Sequence, residues 1–322
     1  QNQIRCSPFQ GFVQTEIDGM KAMLTKGEKP EVPISKHCEK PYQCLFYSQC
    51  HGEATEDSAF RIVDTGKPDS YALYHAGQTS FADVDLNQLK WRQRQQVESY
   101  LNQTNHVKGD ELRQFLLDLW YPICYLDFET TYMVAIPMFD GTRPYQQIPF
   151  QFSMHIQHEM DGPVEHIEFL AEPGVDPRPA LLEKLLSSIP KDACILAYNK
   201  GFEERCLKEM AQAFPEYSDR IQPLFSNMRD LMVPFRNKDV YYWQMNGSYS
   251  LKNVLPALLP GMGYADLVIA NGEAAANAYI SMESIVDPSE REAIREHLLK
   301  YCELDTLAMV KLLEKLRELA EE

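Results

Sequence analysis

From residue 122 onward, hydrophobic and polar positions group into strand-like runs separated by turn residues rich in Gly, Pro and Asp. The first three runs read ICYLDFE, IPFQFSMHIQ and VEHIEFLA, and short stretches connect them. Because short connections join antiparallel neighbours, the pattern predicts three consecutive antiparallel strands. The second run alternates Phe with Gln and Ser, which is typical of a half-buried strand.

Helix-like and strand-like patterns alternate after these runs. The stretches RPALLEKLLSSI, FEERCLKEMAQAF and SYSLKNVLPALL predict helices, and ACILAYN predicts a short buried strand between the first two. A long final helix begins with Asp287 as N-cap and Pro288 at the first helical position. This order predicts an α/β fold whose mixed sheet is flanked by helices, in the order of a ribonuclease-H-like sheet.

The first 120 residues have a different texture. Residues 1–55 form a small cysteine-bearing, mainly helical segment, and residues 56–120 show polar helical patterns typical of a connector. We therefore expect three segments, 1–55, 56–120 and 121–322. The chain begins with Gln rather than Met, so we expect the first segment to be the end of an upstream domain.

Charge narrows the classes of function. The 322 residues carry a formal net charge of −16 at pH 7, which disfavours binding of nucleic acid by general attraction to phosphates. An acidic site that recruits divalent cations stays compatible with such a substrate, because the cations then meet the phosphates. No apolar run approaches the roughly 18 residues that span a membrane, and no secretory leader is visible, so we expect a cytoplasmic protein without a membrane partner.

Acidic residues end the first strand and recur later. Asp127 and Glu129 are two residues apart, so both side chains project from one face of the strand. Glu203 lies in the first turn of a helix, and Tyr301 and Asp305 share one side of the last helix. Each of these features also has an ordinary explanation. The two acids on the strand would face solvent, the acid at the helix start would complement the helix dipole, and the Tyr/Asp pair would pack and share a hydrogen bond. Paired acids on a strand that is otherwise apolar favour a bound cation instead.

Together these motifs resemble those of the DnaQ-like 3′–5′ exonucleases, in the subclass named for four acids and a tyrosine. The resemblance covers residues 122–322. Its motifs are Asp-x-Glu on a strand, Asn-x-x-Phe-acid after a strand and Tyr-x-x-x-Asp on a late helix. In this chain they are Asp127 and Glu129, then Asn199, Phe202 and Glu203, then Tyr301 and Asp305. The stretches MRDLMVPFR and SYSLKNVL also resemble elements of that family.

The resemblance implies two-metal hydrolysis of single-stranded DNA or RNA from the 3′ end, with release of nucleoside 5′-monophosphates. It implies that two Mg²⁺ or Mn²⁺ ions are held by Asp127, Glu129, Glu203 and Asp305, and that Tyr301 orients the attacking water. It implies that the nucleic acid is contacted by Phe128, Thr130, Asn199 and Phe202. Glu203 stands where the family usually has an aspartate, so Glu204 and Asp230 remain alternatives for the fourth acid.

Four cysteines lie in the first fifty residues: Cys6, Cys38, Cys44 and Cys50. The last three have five residues between neighbours, unlike common zinc knuckles, and in a reducing compartment such clustering indicates metal ligands. HCEKPYQCLFYSQC and NGSYSLKNVLP resemble an uncharacterised bacterial family that joins an exonuclease-like domain to an upstream RecB-like nuclease region with a cysteine cluster. The spacing is like the tail of a four-cysteine iron–sulfur site, such as a 4Fe–4S cluster, whose remaining ligand lies far upstream; Cys6 is the candidate for that ligand. Zinc, with His37 or His51 as a substitute ligand, and free cysteines are the alternatives.

Two other functions stay open. An endonuclease or an oligonucleotide-trimming enzyme would use the same acids. A catalytically weak or inactive nuclease-fold module would use the cysteine cluster for assembly or nucleic-acid binding, and Glu203 in place of an aspartate keeps this alternative open. No motif reads the 2′-hydroxyl, so the sequence does not separate DNA from RNA.

Overall fold

The computed structural model describes residues 10–28, 31–40, 42–52, 55–63, 69–131 and 136–321. The chain divides into an amino-terminal unit, residues 1–60 and 69–83, and a carboxyl-terminal unit, residues 61–68 and 84–322. The sequence predicted three consecutive segments, 1–55, 56–120 and 121–322. The two units are defined by contacts between residues, so they do not test these boundaries, which stay a prediction. In the part of the chain that the structure describes, each helix is too short or too polar to span a bilayer.

The amino-terminal unit is mainly helical. Its α-helices are α1 (Gln10–Lys26), α2 (Tyr47–His51) and α3 (Ser70–His75). Asp69 caps α3, because its carboxylate accepts a hydrogen bond from the backbone N–H of Ala72 at 2.8 Å. Ser58 and Ser80 form an isolated antiparallel bridge within this unit.

The carboxyl-terminal unit alternates helices and strands. In chain order its helices are α4 (Trp91–Asn102), α5 (Gly109–Leu117), α6 (Arg178–Ser188), α7 (Gly201–Ala213), α8 (Ser218–Ile221), α9 (Leu224–Asn227), α10 (Val233–Arg236), α11 (Leu251–Leu258), α12 (Gly272–Ser281) and α13 (Pro288–Glu321). Its strands are β1 (His106–Val107), β2 (Ile123–Thr130), β3 (Pro149–Gln157), β4 (Val164–Leu170), β5 (Cys194–Ala197), β6 (Met228–Asp230) and β7 (Val240–Tyr241).

Five of these strands form one mixed sheet in the order β4–β3–β2–β5–β6. The pairs β2–β3 and β3–β4 are antiparallel, as their short connections predicted. Strand β5 runs parallel to β2, and β6 runs parallel to β5. The protein is therefore a mixed α/β fold, and the carboxyl ends of β2, β5 and β6 meet at one edge of the sheet.

Helices cover both faces of this sheet. On β2, Ile123 and Tyr125 belong to a core that includes α5, α11, α12 and α13, whereas Cys124 and Leu126 face a second core formed with α6 and α7. A strand covered on both faces needs apolar residues at nearly every position, which explains the run ICYL. Strand β3 is buried along its whole length. The alternation of Phe with Gln and Ser in its sequence had predicted a strand with one face exposed to solvent.

The last helix, α13, lies against β2 and β3. Its predicted start is confirmed, because the carboxylate of Asp287 accepts a hydrogen bond from the backbone N–H of Ser289 at 2.9 Å. A stripe of buried residues then runs along the helix. Ser153 on β3 meets Thr306 on α13 through their hydroxyl oxygens, 2.6 Å apart. Polar contacts of this kind fix the position of α13 along the sheet.

Leu126→Ala is expected to destabilise the carboxyl-terminal unit. Leu126 is fully buried, and truncation of a buried leucine leaves a cavity that costs about 2–5 kcal/mol of unfolding free energy. Leu117→Ala is the matched control, because Leu117 is 76% exposed and such changes stay within about 0.5 kcal/mol. Urea unfolding of both variants measures the difference, and equal losses would contradict the two-sided core.

Candidate active site

Three carboxylates from two distant segments meet at the edge of the sheet. Asp127 and Glu129 lie near the carboxyl end of β2, on the face that α13 covers, and Asp305 lies on α13. One oxygen of each carboxylate lies within 4.8 Å of the others. Asp127 is half-buried, and Glu129 and Asp305 are each 7% exposed. The structure thus brings together three of the four acids that the sequence singled out as metal ligands.

Two tyrosines pack beside Asp305. Tyr301, which the sequence singled out, is buried one helical turn before Asp305. Tyr264, which sequence reasoning missed, donates a hydrogen bond from its hydroxyl to Asp305 Oδ1 at 2.5 Å. The rings of Tyr264 and Tyr301 meet edge to face at 6.1 Å. Tyr264 lies in the irregular stretch GMGYADL, where no periodicity marked it.

Burial of like charges raises the pKa values of the three acids. The pKa of Asp127 lies well above its ordinary value because the carboxyl group is desolvated and Asp305 is near. Burial also raises the pKa of Glu129 well above its usual range, and the charge of Asp127 adds to this effect. Burial raises the pKa of Asp305 to about 6, although the hydrogen bond from Tyr264 and the charge of Lys252 lower it.

Lys252 brings positive charge next to the carboxylates. It lies in the first turn of α11, and its Nζ is 5.4 Å from the ring centroids of both Tyr264 and Tyr301. The same Nζ donates a hydrogen bond to the carbonyl oxygen of Ala270. The stretch SYSLKNVL, singled out for its resemblance, therefore supplies this side chain. One ammonium group does not balance three ionised carboxylates, so the cluster favours a further cation.

Glu203 lies near this cluster without belonging to it. It sits in the first turn of α7, is 2% exposed, and its Oε2 is buried without a hydrogen-bond partner. Burial, together with the charge of Asp127, raises the pKa of Glu203 well above its ordinary value. Its oxygens are not part of the group of ligand atoms within 4.8 Å.

The two alternatives for the fourth acid are engaged elsewhere. Glu204 forms ion pairs at 3.3 Å with a lysine on either side of it along α7. Asp230 Oδ1 accepts hydrogen bonds from the backbone N–H groups of Asn199 and Met232, both at 3.0 Å, and Oδ2 lies 3.3 Å from Arg236. These contacts hold the chain after β5 and β6. Of the three candidates, only the buried acid at the start of α7 has an oxygen free for a ligand.

A pocket of about 300 Å³ lies beside Glu129. Its walls are formed by Phe128, Glu129, Thr130, Gln147, Phe202, Gly272 and Glu273. Three of the four residues expected to contact nucleic acid thus line it. Asn199 does not line it; its backbone, with a φ of 72°, forms the turn into α7 and donates to Asp230.

Two residues that sequence reasoning missed shape this pocket. Gly272 begins α12 so close to Glu129 that a Cβ there would lie 3.5 Å from Oε2. The guanidinium of Arg205 lies 5.2 Å from the ring of Phe202 and donates a hydrogen bond to Gln147 Oε1 at 2.8 Å. Arg205 therefore places a positive charge at the border of a pocket that also contains carboxylates. In the sequence it reads as an ordinary helix-surface residue.

The cysteine segment is described in part. Cys6 lies outside the described residues, Cys38 is buried, and Cys44 and Cys50 are exposed. The backbone N–H of Cys44 donates to the carbonyl oxygen of Cys38 at 2.8 Å. Within the described ranges, neither set of three converging metal ligands includes these thiols. His51 Nε2 is buried without a hydrogen-bond partner. The iron–sulfur or zinc site stays a prediction.

Comparison with known proteins finds relatives of the chain. Residues 124–250 match the family model of a domain of unknown function, DUF2779. The chain is 26% identical over 247 residues to the uncharacterized protein MG366 of Mycoplasma genitalium, covering 69% of this chain and 37% of that protein. It is 26% identical over 261 residues to the uncharacterized protein UU173 of Ureaplasma parvum, covering 70% and 37%. The chain thus spans little more than a third of these relatives. No solved structure matches it.

Proposed function

We propose that the carboxyl-terminal unit is a metal-dependent 3′–5′ exonuclease with a ribonuclease-H-like, DnaQ-like fold. Its substrates are single-stranded DNA or RNA, and its products are nucleoside 5′-monophosphates. The observation that carries the proposal is the convergence of Asp127, Glu129 and Asp305 beside a pocket built by the same motifs. The strand order, three antiparallel strands followed by two parallel ones, supports the fold assignment.

The donor set fits hard divalent cations. Carboxylate oxygens are the ligands that Mg²⁺ and Mn²⁺ prefer. Burial and like charge raise the pKa values of Asp127 and Glu129, which supports neutralisation of the cluster by protons or cations. Asp127, Glu129 and Asp305 would hold one ion, and Glu203 with Asp127 would help to hold a second, partly through water. Bound ions would supply an activated water and stabilise negative charge on the attacking and leaving oxygens.

Tyr301 is a hydroxyl donor in this proposal. Burial, and then the charges of Asp305 and Glu129, raise its pKa far above the ordinary value, so the phenol stays protonated at neutral pH. Such a hydroxyl orients the attacking water by a hydrogen bond and does not act as a base. Tyr264 has a different role, because its hydroxyl holds Asp305 in one orientation.

The pocket explains a preference for chain ends. Its volume is at the low end for sites that hold a small molecule, as expected for one terminal nucleotide. Phe128 and Phe202 offer aromatic rings to a base. Glu129 accepts a hydrogen bond from a terminal 3′-hydroxyl, and Arg205 attracts a phosphate. With a net charge of −16, affinity depends on such local contacts and on cations.

Other parts of the proposal concern the longer protein. The resemblance of HCEKPYQCLFYSQC and NGSYSLKNVLP to a two-region bacterial family supports an upstream RecB-like nuclease region as a partner of this unit. The cysteine segment would hold a 4Fe–4S cluster or zinc. A cytoplasmic location is proposed because clustered thiols persist in a reducing compartment.

Asp127→Asn is expected to abolish nucleotide release. The substitution keeps the shape of the side chain but removes a carboxylate that three other acids face, so the fall in rate should exceed the roughly 100-fold that loss of an outer-shell partner causes. The measurement uses 5′-labelled single-stranded DNA and RNA, with free or blocked 3′ ends, in Mg²⁺, Mn²⁺ or chelator. Glu165→Gln, at an exposed position on β4, is the matched control.

The same assay separates the competing functions. Ladders only from free 3′ ends support the exonuclease, and internal cuts support an endonuclease. The absence of turnover with either metal in the wild-type protein supports the inactive nuclease-fold module, which the position of Glu203 outside the cluster favours.

Glu203→Gln is expected to lower activity at least about tenfold, while Glu204→Gln changes it less than about twofold. The reason is that Glu203 has a buried oxygen without a partner, whereas Glu204 is paired with lysines. Initial rates at saturating and limiting Mn²⁺ measure the difference. A larger loss in Glu204→Gln would reassign the fourth acid.

The metal-free protein is expected to be destabilised by the charge of Asp305. Its pKa is about 6 in the folded state, above the ordinary value of 3.8, so between these values the folded state binds more protons and stability falls as pH rises. At pH 7.5 in chelator, Asp305→Asn should therefore be more stable than wild type by up to about 3 kcal/mol, and the difference should shrink toward pH 4.

Urea unfolding at both pH values, with and without Mn²⁺, measures this effect. Loss of the Asp305 charge also lowers the raised pKa values of Asp127 and Glu129, which acts in the same direction. The pKa of His155 depends on burial and on His166, so its titration cancels in the difference. Mn²⁺ should stabilise wild type at pH 7.5 and act much less on Asp305→Asn. A metal-free Asp305→Asn that is less stable than wild type at pH 7.5 would contradict the assignment.

A further inference from the structure

A second group of metal-ligating side chains lies on the same face of the sheet. His155 on β3 and His166 on β4 are register partners, and their rings stack at 4.5 Å. Glu303 on α13 joins them, and one ligand atom of each of the three lies within 4.8 Å of the others. None of these residues takes part in the proposed nuclease site.

Two hydroxyls determine which nitrogen of each histidine carries a proton. Thr306 donates its one hydroxyl proton to the carbonyl oxygen of Glu303 at 3.1 Å. It therefore accepts from Ser153 Oγ at 2.6 Å and from His155 Nδ1 at 2.8 Å. Ser153, whose proton is used in this way, accepts from His166 Nε2 at 2.9 Å. The network in which every one of these contacts is a hydrogen bond has His155 protonated on Nδ1 and His166 on Nε2.

The lone pairs that remain are on His155 Nε2 and His166 Nδ1. His155 is 5% exposed, and burial, with His166 beside it, lowers its pKa to about 4, so its ring is neutral at pH 7. His166 Nδ1 faces Glu303 Oε1 at 3.8 Å. Two acceptors that face each other in a partly buried place are stabilised by a proton or a cation between them.

We propose that His155, His166 and Glu303 form a second metal site, for a borderline divalent transition-metal ion such as Zn²⁺. Two imidazoles and one carboxylate are a ligand set typical of zinc, whereas the all-carboxylate cluster suits harder ions. Ser153 and Thr306 make the outer hydrogen bonds that orient metal-binding histidines.

The site is open enough to take up an ion. The side chain of His166 is 23% exposed and that of Glu303 is 46% exposed. Zinc bonds of about 2.0–2.2 Å place tetrahedral ligand atoms roughly 3.4 Å apart. The present atoms lie within 4.8 Å of one another, so zinc binding requires rotation of the half-exposed Glu303 and tilting of the stacked imidazole rings. Water completes the coordination.

This ion would have a structural role. It would join β3, β4 and α13 at one point, next to the proposed nuclease site: Thr306 directly follows Asp305, and Ser153 is the register partner of Asp127. The inference stands without the proposed nuclease function, because it rests on a separate set of ligands.

Calorimetric titration of the full chain with Zn²⁺ in excess Mg²⁺ tests the site. Wild-type protein is expected to bind one equivalent more than His166→Ala, and Glu303→Gln is expected to weaken that equivalent at least about tenfold. The cysteine segment and the carboxylate cluster are the same in all proteins, so any zinc they bind cancels in the comparison.

Glu168→Gln is the matched control. Glu168 is a neighbouring acid whose side chain is 38% exposed; one of its oxygens lies 4.0 Å from His166 Nε2, the nitrogen that contacts Ser153. The zinc affinity of Glu168→Gln should stay within about twofold of that of the wild-type protein. Zinc should also raise the melting temperature of wild type and Glu168→Gln but not of His166→Ala, with circular dichroism as the check on folding.

Equal zinc stoichiometry and affinity in wild type, His166→Ala and Glu303→Gln would overturn the proposal. That result would leave the three residues as polar contacts between β3, β4 and α13 that hold no metal ion. If His166→Ala does not fold, Glu303→Gln decides alone, since a change at a half-exposed acid leaves the core intact. Nuclease assays play no part in this outcome.

Discussion

Asp127 on β2 and Asp305 on α13 are far apart in sequence but meet at the edge of the sheet, and their negative charges repel each other there. An ionised carboxylate without a partner is costly in a low-dielectric interior, and Glu129 adds a third. The groups around them reduce this cost in separate ways. Tyr264 donates a hydrogen bond, Lys252 supplies positive charge, and the amino terminus of α12 lies against Glu129. These groups offset only part of the negative charge of the three carboxylates.

Because the carboxylates on β2 and α13 repel each other, α13 needs other contacts to hold it against the sheet, and many of these are polar. The face of β3 toward α13 carries Gln151, Ser153, His155 and Gln157, all buried. Apolar packing alone tolerates small sliding of a helix along a sheet, whereas a hydrogen bond has a narrow range of distance. Gln151 donates to the carbonyl oxygen of Leu298 at 2.9 Å, and Thr306 joins Ser153 and His155. These bonds hold α13 in the one position that puts Asp305 beside Asp127.

Much of the fold was predictable because it follows from periodicity and from short connections. The strands β2 to β5, the antiparallel order of the first three and the capped start of α13 all have local signals in the sequence. The convergence of Asp127, Glu129 and Asp305 was predictable from motif order. Tyr264 and Gly272 were not, since they lie in irregular segments or at helix starts where no repeat marks a side chain that faces a site.

The polar face of β3 shows a second limit of the sequence. Alternating Gln, Ser and His on a strand is the pattern of a solvated face, and only the arrival of a helix from much later in the chain buries it. His155 and His166 become neighbours through strand register, which composition does not reveal. Likewise, Glu203 and Glu204 are adjacent in sequence and equivalent by pattern, yet one is buried and the other is paired with lysines.

Asp127 lies on the first strand of the sheet, and Asp305 lies on α13, which spans Pro288–Glu321. During synthesis on the ribosome, the strands emerge well before this helix does, and contacts between residues so far apart in sequence form late. A nascent chain therefore holds two of the three carboxylates with nothing to complete them until α13 has left the exit tunnel and docked. The three-carboxylate cluster is therefore completed only after the whole of α13 has been translated.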